Sequence, residues 1–172
     1  MDDAERSHYN EVFGHGFRTL YLDDIRRANA GDVRMGTFIM CVAFLDALSL
    51  AYSADVKVPN GDRGKWKRFM ERYLGEPYEP IWDSYDGLRS KLLHNYSARG
   101  IAFSSSSELE GTHLRRTHEG FLILHRESFV NDVVTAFEAF AADVRADAEL
   151  RARVFKHAER YPPMGTAIIL EE

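Results

Sequence analysis

The sequence predicts an all-α fold, a helical bundle that carries one small β-hairpin. Apolar residues recur at helical spacing over most of the 172 residues, and the pattern becomes strand-like only between about residues 101 and 126. Turn residues separate the helical stretches, and the sequence shows no repeat and no interdomain linker. We therefore expect a single domain over residues 1–172.

The composition is that of an ordinary globular protein. Hydrophobic residues make up 45% of the chain and charged residues 28%, and the net charge of −5 argues against binding of nucleic acid by bulk charge alone. Cys41 is the single cysteine, so no intrachain disulfide is expected, and the acidic start of the chain does not resemble a signal peptide. These features predict a cytoplasmic protein.

The first half of the chain is predicted to hold three helices. A short helix over residues 5–14 is expected to end at Gly14-His15-Gly16, and an amphipathic helix follows from Phe17 to Ala30. Asp32 is expected to cap a long apolar helix from about Val33 to Ser53.

This long helix is nearly long enough to cross a membrane. Asp46 lies at the middle of the apolar run, where a carboxylate costs on the order of 2.5–3.5 kcal/mol on insertion scales. A helix buried in a soluble bundle has no such cost, so we expect no membrane span. A buried carboxylate needs a partner. Arg89 is the candidate, and the alternatives are a tyrosine, a backbone amide or a position at the edge of the bundle.

The second half begins with a turn-rich loop over residues 55–64, after which the spacing returns to that of helices. A strand-like Phe121–Leu124 run next to Glu119-Gly120 indicates the hairpin, placed at about residues 101–126. An apolar tail covers Thr166 to Leu170. The predicted helices span about residues 65–74, 79–95, 127–144 and 147–160.

Arg89 and His94 are the residues that point to chemistry. They lie five positions apart on the predicted helix over residues 79–95. Arginine is a permanent cation shaped to bind phosphate oxygens, and histidine exchanges protons near neutral pH. Together the two side chains can cut a phosphodiester without a metal. The alternative is an ion-paired surface arginine and a histidine satisfied at a helix end.

An Arg-x4-His motif on a late helix of an α-helical bundle resembles the HEPN superfamily (higher eukaryote and prokaryote nucleotide-binding). The segment from Gly87 to Tyr96 is similar to the active-site segment of that group. Residues 69–74, with Trp82 and Tyr85, are similar to what often precedes it, and the resemblance covers about residues 33–145. Active members usually have Asn, Asp or His after the arginine, whereas this chain has Ser90.

The resemblance implies metal-independent RNA cleavage, by a toxin or by a component of a defence or stress system with an antitoxin or other protein partner. His94 would move a proton, and Arg89 would neutralise charge on the phosphate. The residues expected to support this chemistry are Ser90, Asn95, Tyr96 and Asp46. The alternative function is a non-catalytic HEPN-like module that dimerises or docks to a partner.

Regular helical geometry leads us to expect a homodimer. Positions five apart diverge by about 140° around an α-helix, so one helix does not present Arg89 and His94 on the same face. A composite site at a two-fold interface removes this difficulty. The HEPN resemblance implies the same arrangement.

A basic run that begins at Arg63 could steer RNA towards the site, and its alternative is a solvated helix face. His113, His118 and His125 lack the spacing of zinc ligands and are expected to be exposed strand residues, so we expect no metal and no cofactor. The candidate RNA-binding residues are Lys65, Lys67, Arg68, Arg72 and Lys91.

Overall fold

A computed structural model describes residues 1–82, 85–92, 98 and 100–162 of the chain. Helices dominate these residues, and the predicted mainly-α class is confirmed. The helices are α1 (Asp3–Tyr9), α2 (Asp23–Ala30), α3 (Arg34–Tyr52), α4 (Gly61–Tyr73), α5 (Glu79–Trp82), α6 (Arg126–Ala146) and α7 (Ala148–Arg160). The strands are β1 (Ile101–Ser104) and β2 (Leu122–His125).

The chain is continuously helical from α1 to the end of α2, so the predicted break at Gly14-His15-Gly16 is wrong. Wider, π-type turns over Asn10–Leu22 join the two helices. Val12, Phe13 and Phe17 are buried along this segment. Their burial offsets the cost of interior glycine, which is about 1 kcal/mol per residue.

The start of α1 is fixed by a reciprocal cap that also reaches the far end of the chain. The Asp2 carboxylate accepts the Glu5 N–H at 2.8 Å, and the Glu5 carboxylate accepts the Asp2 N–H at 3.1 Å. The buried Arg151 side chain donates to Glu5 at 3.4 Å and to the Arg145 carbonyl at 3.0 Å. The first helix is thereby tied to the corner between α6 and α7.

The turn between α2 and α3 differs from the prediction, because Asp32 does not cap α3. Val33 precedes the helix, and Asp32 adopts the left-handed backbone region with a φ of 54°. Its carboxylate instead pairs with Arg34 and with the buried Arg126 of α6. These two guanidinium groups lower the pKa of Asp32, with Arg126 contributing the larger share.

Helix α3 is the central element of the core. It packs against α2, α4, α6 and α7, and Phe38, Leu45 and Leu48 are among its buried residues. Its length and composition would allow it to cross a membrane. Its packing against four other helices explains why its residues are apolar without a membrane.

Aromatic rings fill the space around α3. The Phe44 ring centroid lies 5.6 Å from that of Phe137, and the Phe69 centroid lies 5.6 Å from that of Phe140. These contacts confirm the apolar faces predicted for α4 and α6. Helix α4 begins at Gly61, earlier than the predicted Lys65, which shortens the loop before it.

The predicted hairpin over residues 101–126 is wrong, because β1 and β2 are parallel. Ile101 lies opposite Leu122, and Ser104 lies opposite His125. Parallel neighbours need a long connection, which here includes a 3₁₀ helix at Ser107–Thr112. The Glu119-Gly120 signal marks a local antiparallel turn, in which the Thr117 N–H donates to the Phe121 carbonyl at 2.8 Å. Such a signal specifies only the neighbouring pairing.

Candidate functional site

Arg89 lies on a π-type turn, Asp86–Ser90, that packs against α3. Leu88 and Leu92 are fully buried and anchor the segment, and the Lys91 N–H donates to the Asp86 carbonyl five residues earlier. The regular α-helical geometry assumed for this segment is therefore wrong over Asp86–Ser90. The angle between Arg89 and His94 depends also on residues 91–94, and His94 lies outside the described residues, so the 140° argument for a dimer stays a prediction.

The structure places Asp46 beside Arg89, as the expected pairing of the two residues requires. The Arg89 Nε donates to Asp46 Oδ2 at 3.2 Å. Asp46 is buried on α3, whereas the Arg89 side chain is 38% exposed. Within the described residues, neither Nη group of Arg89 makes a hydrogen bond. The carboxylate therefore fixes the guanidinium from the inside while part of the cation reaches solvent.

Tyr85 completes this group of residues, which we call the Arg89 site (Asp46, Tyr85 and Arg89). The Arg89 guanidinium lies 5.7 Å from the centroid of the Tyr85 ring, a cation–π arrangement. Burial, followed by the negative charge of Asp46, raises the pKa of Tyr85. Asp46 Oδ1 is buried and has no hydrogen-bond partner among the described residues. The site thus keeps acceptor capacity that the described protein does not use.

The other half of the motif cannot be placed. His94, Asn95 and Tyr96 lie outside the described residues, and so do the side chain of Ser90 and the apolar tail from Thr166 to Leu170. The structure therefore locates the phosphate-binding candidate and leaves the proton-transfer candidate as a prediction from the sequence.

The basic side chains on α4 make contacts with their own helix and with α3 and α6. Lys65 donates to Asp62 at 2.9 Å, and Arg72 donates to Asp143 at 2.9 Å. Arg68 lies over the Tyr52 ring, Lys67 is partly buried and Lys91 is exposed. Exposed ion pairs are worth only about 0–1 kcal/mol, so a phosphate can replace their carboxylates at little cost. RNA binding by these residues stays a prediction.

Arg63 connects that run to the Arg89 site. Its guanidinium pairs with Asp86, the first residue of the π-type turn. The Trp66 and Tyr85 rings also touch, with centroids 5.8 Å apart. Helix α4 therefore contacts the segment of the Arg89 site through a basic side chain and an aromatic ring.

Sequence reasoning missed a second polar cluster, which we call the His113 cluster (Tyr78, His113 and Asp132). The Tyr78 hydroxyl donates to Asp132 Oδ2 at 2.7 Å, and His113 Nε2 lies 3.2 Å from the same oxygen. The His125 backbone N–H donates to His113 Nδ1 at 3.0 Å, which assigns the ring proton to Nε2. These residues come from three distant parts of the sequence, so no spacing signal could have revealed them.

Two of the three histidines expected to be exposed are not, since His125 is buried and His113 is partly buried. His125 is 2% exposed, and the side chain of His113 is 11% exposed, because both face the junction of β2 with α6. His118 is exposed, as expected. In the part of the chain that the structure describes, no group of three or more His, Cys, Asp or Glu side chains could hold a metal ion.

The fold and the Arg89 site define a mainly-α protein with a half-exposed arginine held by a buried carboxylate. No family model matches the chain, and neither a curated protein nor a solved structure matches it. The HEPN resemblance therefore depends on the motif and on the helical architecture of this chain alone.

Proposed function

We propose that this protein is a metal-independent endoribonuclease of the HEPN type. The observation that carries the proposal is the half-exposed Arg89 guanidinium fixed through Nε by the buried Asp46. A guanidinium held in one orientation loses less freedom when it binds a phosphate, and its planar donors match phosphate oxygens. The proposed role of Arg89 is to bind the scissile phosphate and to stabilise the charge that develops on it.

His94 supplies the proton transfer in this proposal. It takes the proton of a ribose 2′-hydroxyl, whose oxygen attacks the adjacent phosphorus while the bond to the 5′-oxygen breaks. The leaving oxygen takes up a proton, which gives a cyclic phosphate and a 5′-hydroxyl. Ser90, Asn95 and Tyr96 are proposed to position the phosphate or the imidazole. Single-stranded or looped RNA is the proposed substrate, because its backbone can adopt the in-line geometry.

The assembly and setting belong to the same proposal. We propose a homodimer in which the two Arg89–His94 segments meet, so that one histidine serves as base and the partner's His94 as acid. The proposed setting is the cytoplasm, as a toxin or a defence or stress component controlled by a protein partner. Light scattering at tens of micromolar protein tests the dimer, and a monomer at that concentration contradicts it.

Cleavage of RNA by the purified full chain in the presence of EDTA tests the activity. Wild type should cut a looped RNA and leave cyclic phosphate ends, which mass spectrometry identifies. His94→Ala should lower the rate by at least about 100-fold, the lower end of what an acid–base group contributes. His118→Ala removes an exposed histidine elsewhere and is the matched control. Equal cleavage by wild type and His94→Ala contradicts the proposal.

The alternative is a non-catalytic HEPN-like docking or dimerisation module. The specific observation in its favour is that Asp46 already balances the charge of Arg89. Under this alternative the pair is part of an interface. Purified protein that does not cut RNA, yet forms a dimer that Arg89→Gln disrupts, supports it.

A further inference from the structure

We infer that a cleft between α3 and α7 binds a small organic anion with an apolar body. The cleft has a volume of about 680 Å³ and lies where the end of α3 meets α7. This volume falls within the range of about 300–1,000 Å³ that is typical of small-molecule sites. None of its lining residues belongs to the Arg89 site; Lys65 is shared with the candidate RNA-binding residues, and the inference does not depend on its role there.

Apolar side chains from three helical segments form much of the cleft wall. They come from the π-type segment over Asn10–Leu22, from α3 and from α7. The apolar residues of these segments that line the cleft include Phe17, Tyr21, Ala47, Leu50, Val154 and Ala158. A flat apolar ligand that covers this surface gains about 25 cal/mol for each Å² removed from water. The wall therefore favours an aromatic or aliphatic body over a fully hydrated ion.

The charges on the rim favour an anion. Lys156 Nζ lies 2.8 Å from Asp55 Oδ2, and Lys65 Nζ lies 2.9 Å from Asp62 Oδ1, so two cations are balanced. Arg160 makes no direct ion pair with a carboxylate in the described part of the chain, although its charge contributes to lowering the pKa of Asp55, and its guanidinium lies 5.3 Å from the Tyr161 ring centroid. The rim thus carries one cation in excess, which matches a single negative charge.

Two further polar groups are available to orient a ligand. His157 lines the cleft, and burial, followed by the positive charge of Lys65, lowers its pKa, so its imidazole is neutral at pH 7. Ser53 also belongs to the lining, and its buried Oγ has no hydrogen-bond partner among the residues that the structure describes. The cleft thus combines an apolar wall with a polar, charged rim, and polar groups of this kind fix the orientation of a ligand.

Fluorescence titration of the full chain with two matched probes tests the inference. The anionic probe is 8-anilinonaphthalene-1-sulfonate, and the neutral probe is N-phenyl-1-naphthylamine. The anionic probe should bind more tightly, and binding should raise the pKa of His157, as measured by NMR of its ring protons. Arg160→Gln should lower the affinity for the anionic probe by about two- to fivefold, the range expected for an exposed charge pair, and should leave the affinity for the neutral probe unchanged.

Two variants complete the design. Arg6→Gln removes an exposed arginine that does not line the cleft and should leave both affinities unchanged, which controls for net charge. Ala47→Phe places a large side chain on the α3 wall and should abolish binding of both probes, with circular dichroism to verify folding. Equal affinity for the two probes, or an Arg160→Gln variant that binds the anion as wild type does, overturns the inference.

Discussion

The His113 cluster and the Arg89 site use similar side chains in opposite ways. In the His113 cluster, Asp132 receives the Tyr78 hydroxyl, and both ring nitrogens of His113 have partners within the protein. In the Arg89 site, only one oxygen of the buried Asp46 has a partner among the described residues, and Arg89 reaches solvent. The first arrangement is complete within the fold, whereas the second retains capacity for a ligand.

This difference indicates that the His113 cluster serves mainly the stability of the fold and the Arg89 site mainly its function. The two groups are similarly exposed, since the side chain of Asp132 is 42% exposed and that of Arg89 is 38% exposed, so they differ in how many hydrogen-bonding atoms have partners. Removing one member of a satisfied network leaves its partners unpaired and costs free energy. The Asp46–Arg89 pair contributes little net free energy, because its exposed cation is nearly as well solvated in the unfolded chain. We therefore expect substitutions in the His113 cluster to change the free energy of unfolding and paired substitutions in the Arg89 site to change activity.

The largest effect on stability is expected from His113→Ala. This change leaves the His125 N–H without its acceptor and opens a cavity beside Tyr78, so the free energy of unfolding should fall by about 3 kcal/mol. Urea denaturation measures the loss. His118→Ala, at an exposed position, should stay within about 0.5 kcal/mol of wild type. Similar free energies of unfolding for the two variants would contradict the structural role assigned to the His113 cluster.

A smaller loss is expected from Arg89→Gln, which leaves the buried Asp46 carboxylate without its cation. The cost should be about 2 kcal/mol. The double variant Asp46→Asn/Arg89→Gln removes both charges and should recover most of that loss, because no unpaired charge stays buried. Denaturation of the single and double variants measures the recovery. A double variant less stable than the single one would mean that the pair is part of the structural core.

The smallest effect concerns alkaline pH and Tyr78. Burial, followed by the charge of Asp132, raises the pKa of Tyr78 above its ordinary value of 10. The folded state thus holds this proton more tightly than the unfolded state. Its stabilisation is complete below pH 10 and is lost as the pH rises further. At pH 8 the free energy of unfolding of Tyr78→Phe should be about 1 kcal/mol below that of wild type. This difference should shrink between pH 10 and 11.5, because only the wild type loses stability there. A constant difference across that range would contradict the assignment.

The helical framework was predictable because burial repeats along the sequence. The apolar faces of α4 and α6 follow from spacing alone, and the helix predicted from Asp147 begins one residue later, at Ala148, with Asp147 as its N-cap. The uninterrupted helix through Gly14 and Gly16 was not predictable. Packing of Phe13 and Phe17 against residues distant in sequence outweighs the low helix propensity of glycine. The direction of β1 relative to β2 also depends on a long connection rather than on a turn signal.

The Arg89 site and the His113 cluster also differ in how far they could be predicted from the sequence. A carboxylate in an apolar helix requires a partner when it is buried, and this made the Asp46–Arg89 pair predictable. Tyr78, His113 and Asp132 are each unremarkable in sequence, and only the fold brings them together. The π-type turn at Asp86–Ser90 was not foreseen, since its side-chain pattern resembles that of a regular helix.

The role of Arg89 is tested by comparing EDTA-resistant RNA cleavage by Asp46→Asn/Arg89→Gln with that by Tyr78→Phe, both assayed below their unfolding temperatures. We predict that the first variant is folded, as stable as wild type to within about 1 kcal/mol, and at least about 100-fold slower, because it lacks the phosphate-binding cation. Tyr78→Phe should be less stable and should cut within about twofold of the wild-type rate. Cleavage at the wild-type rate by the Asp46→Asn/Arg89→Gln variant would contradict the central claim that Arg89 is the phosphate-binding residue.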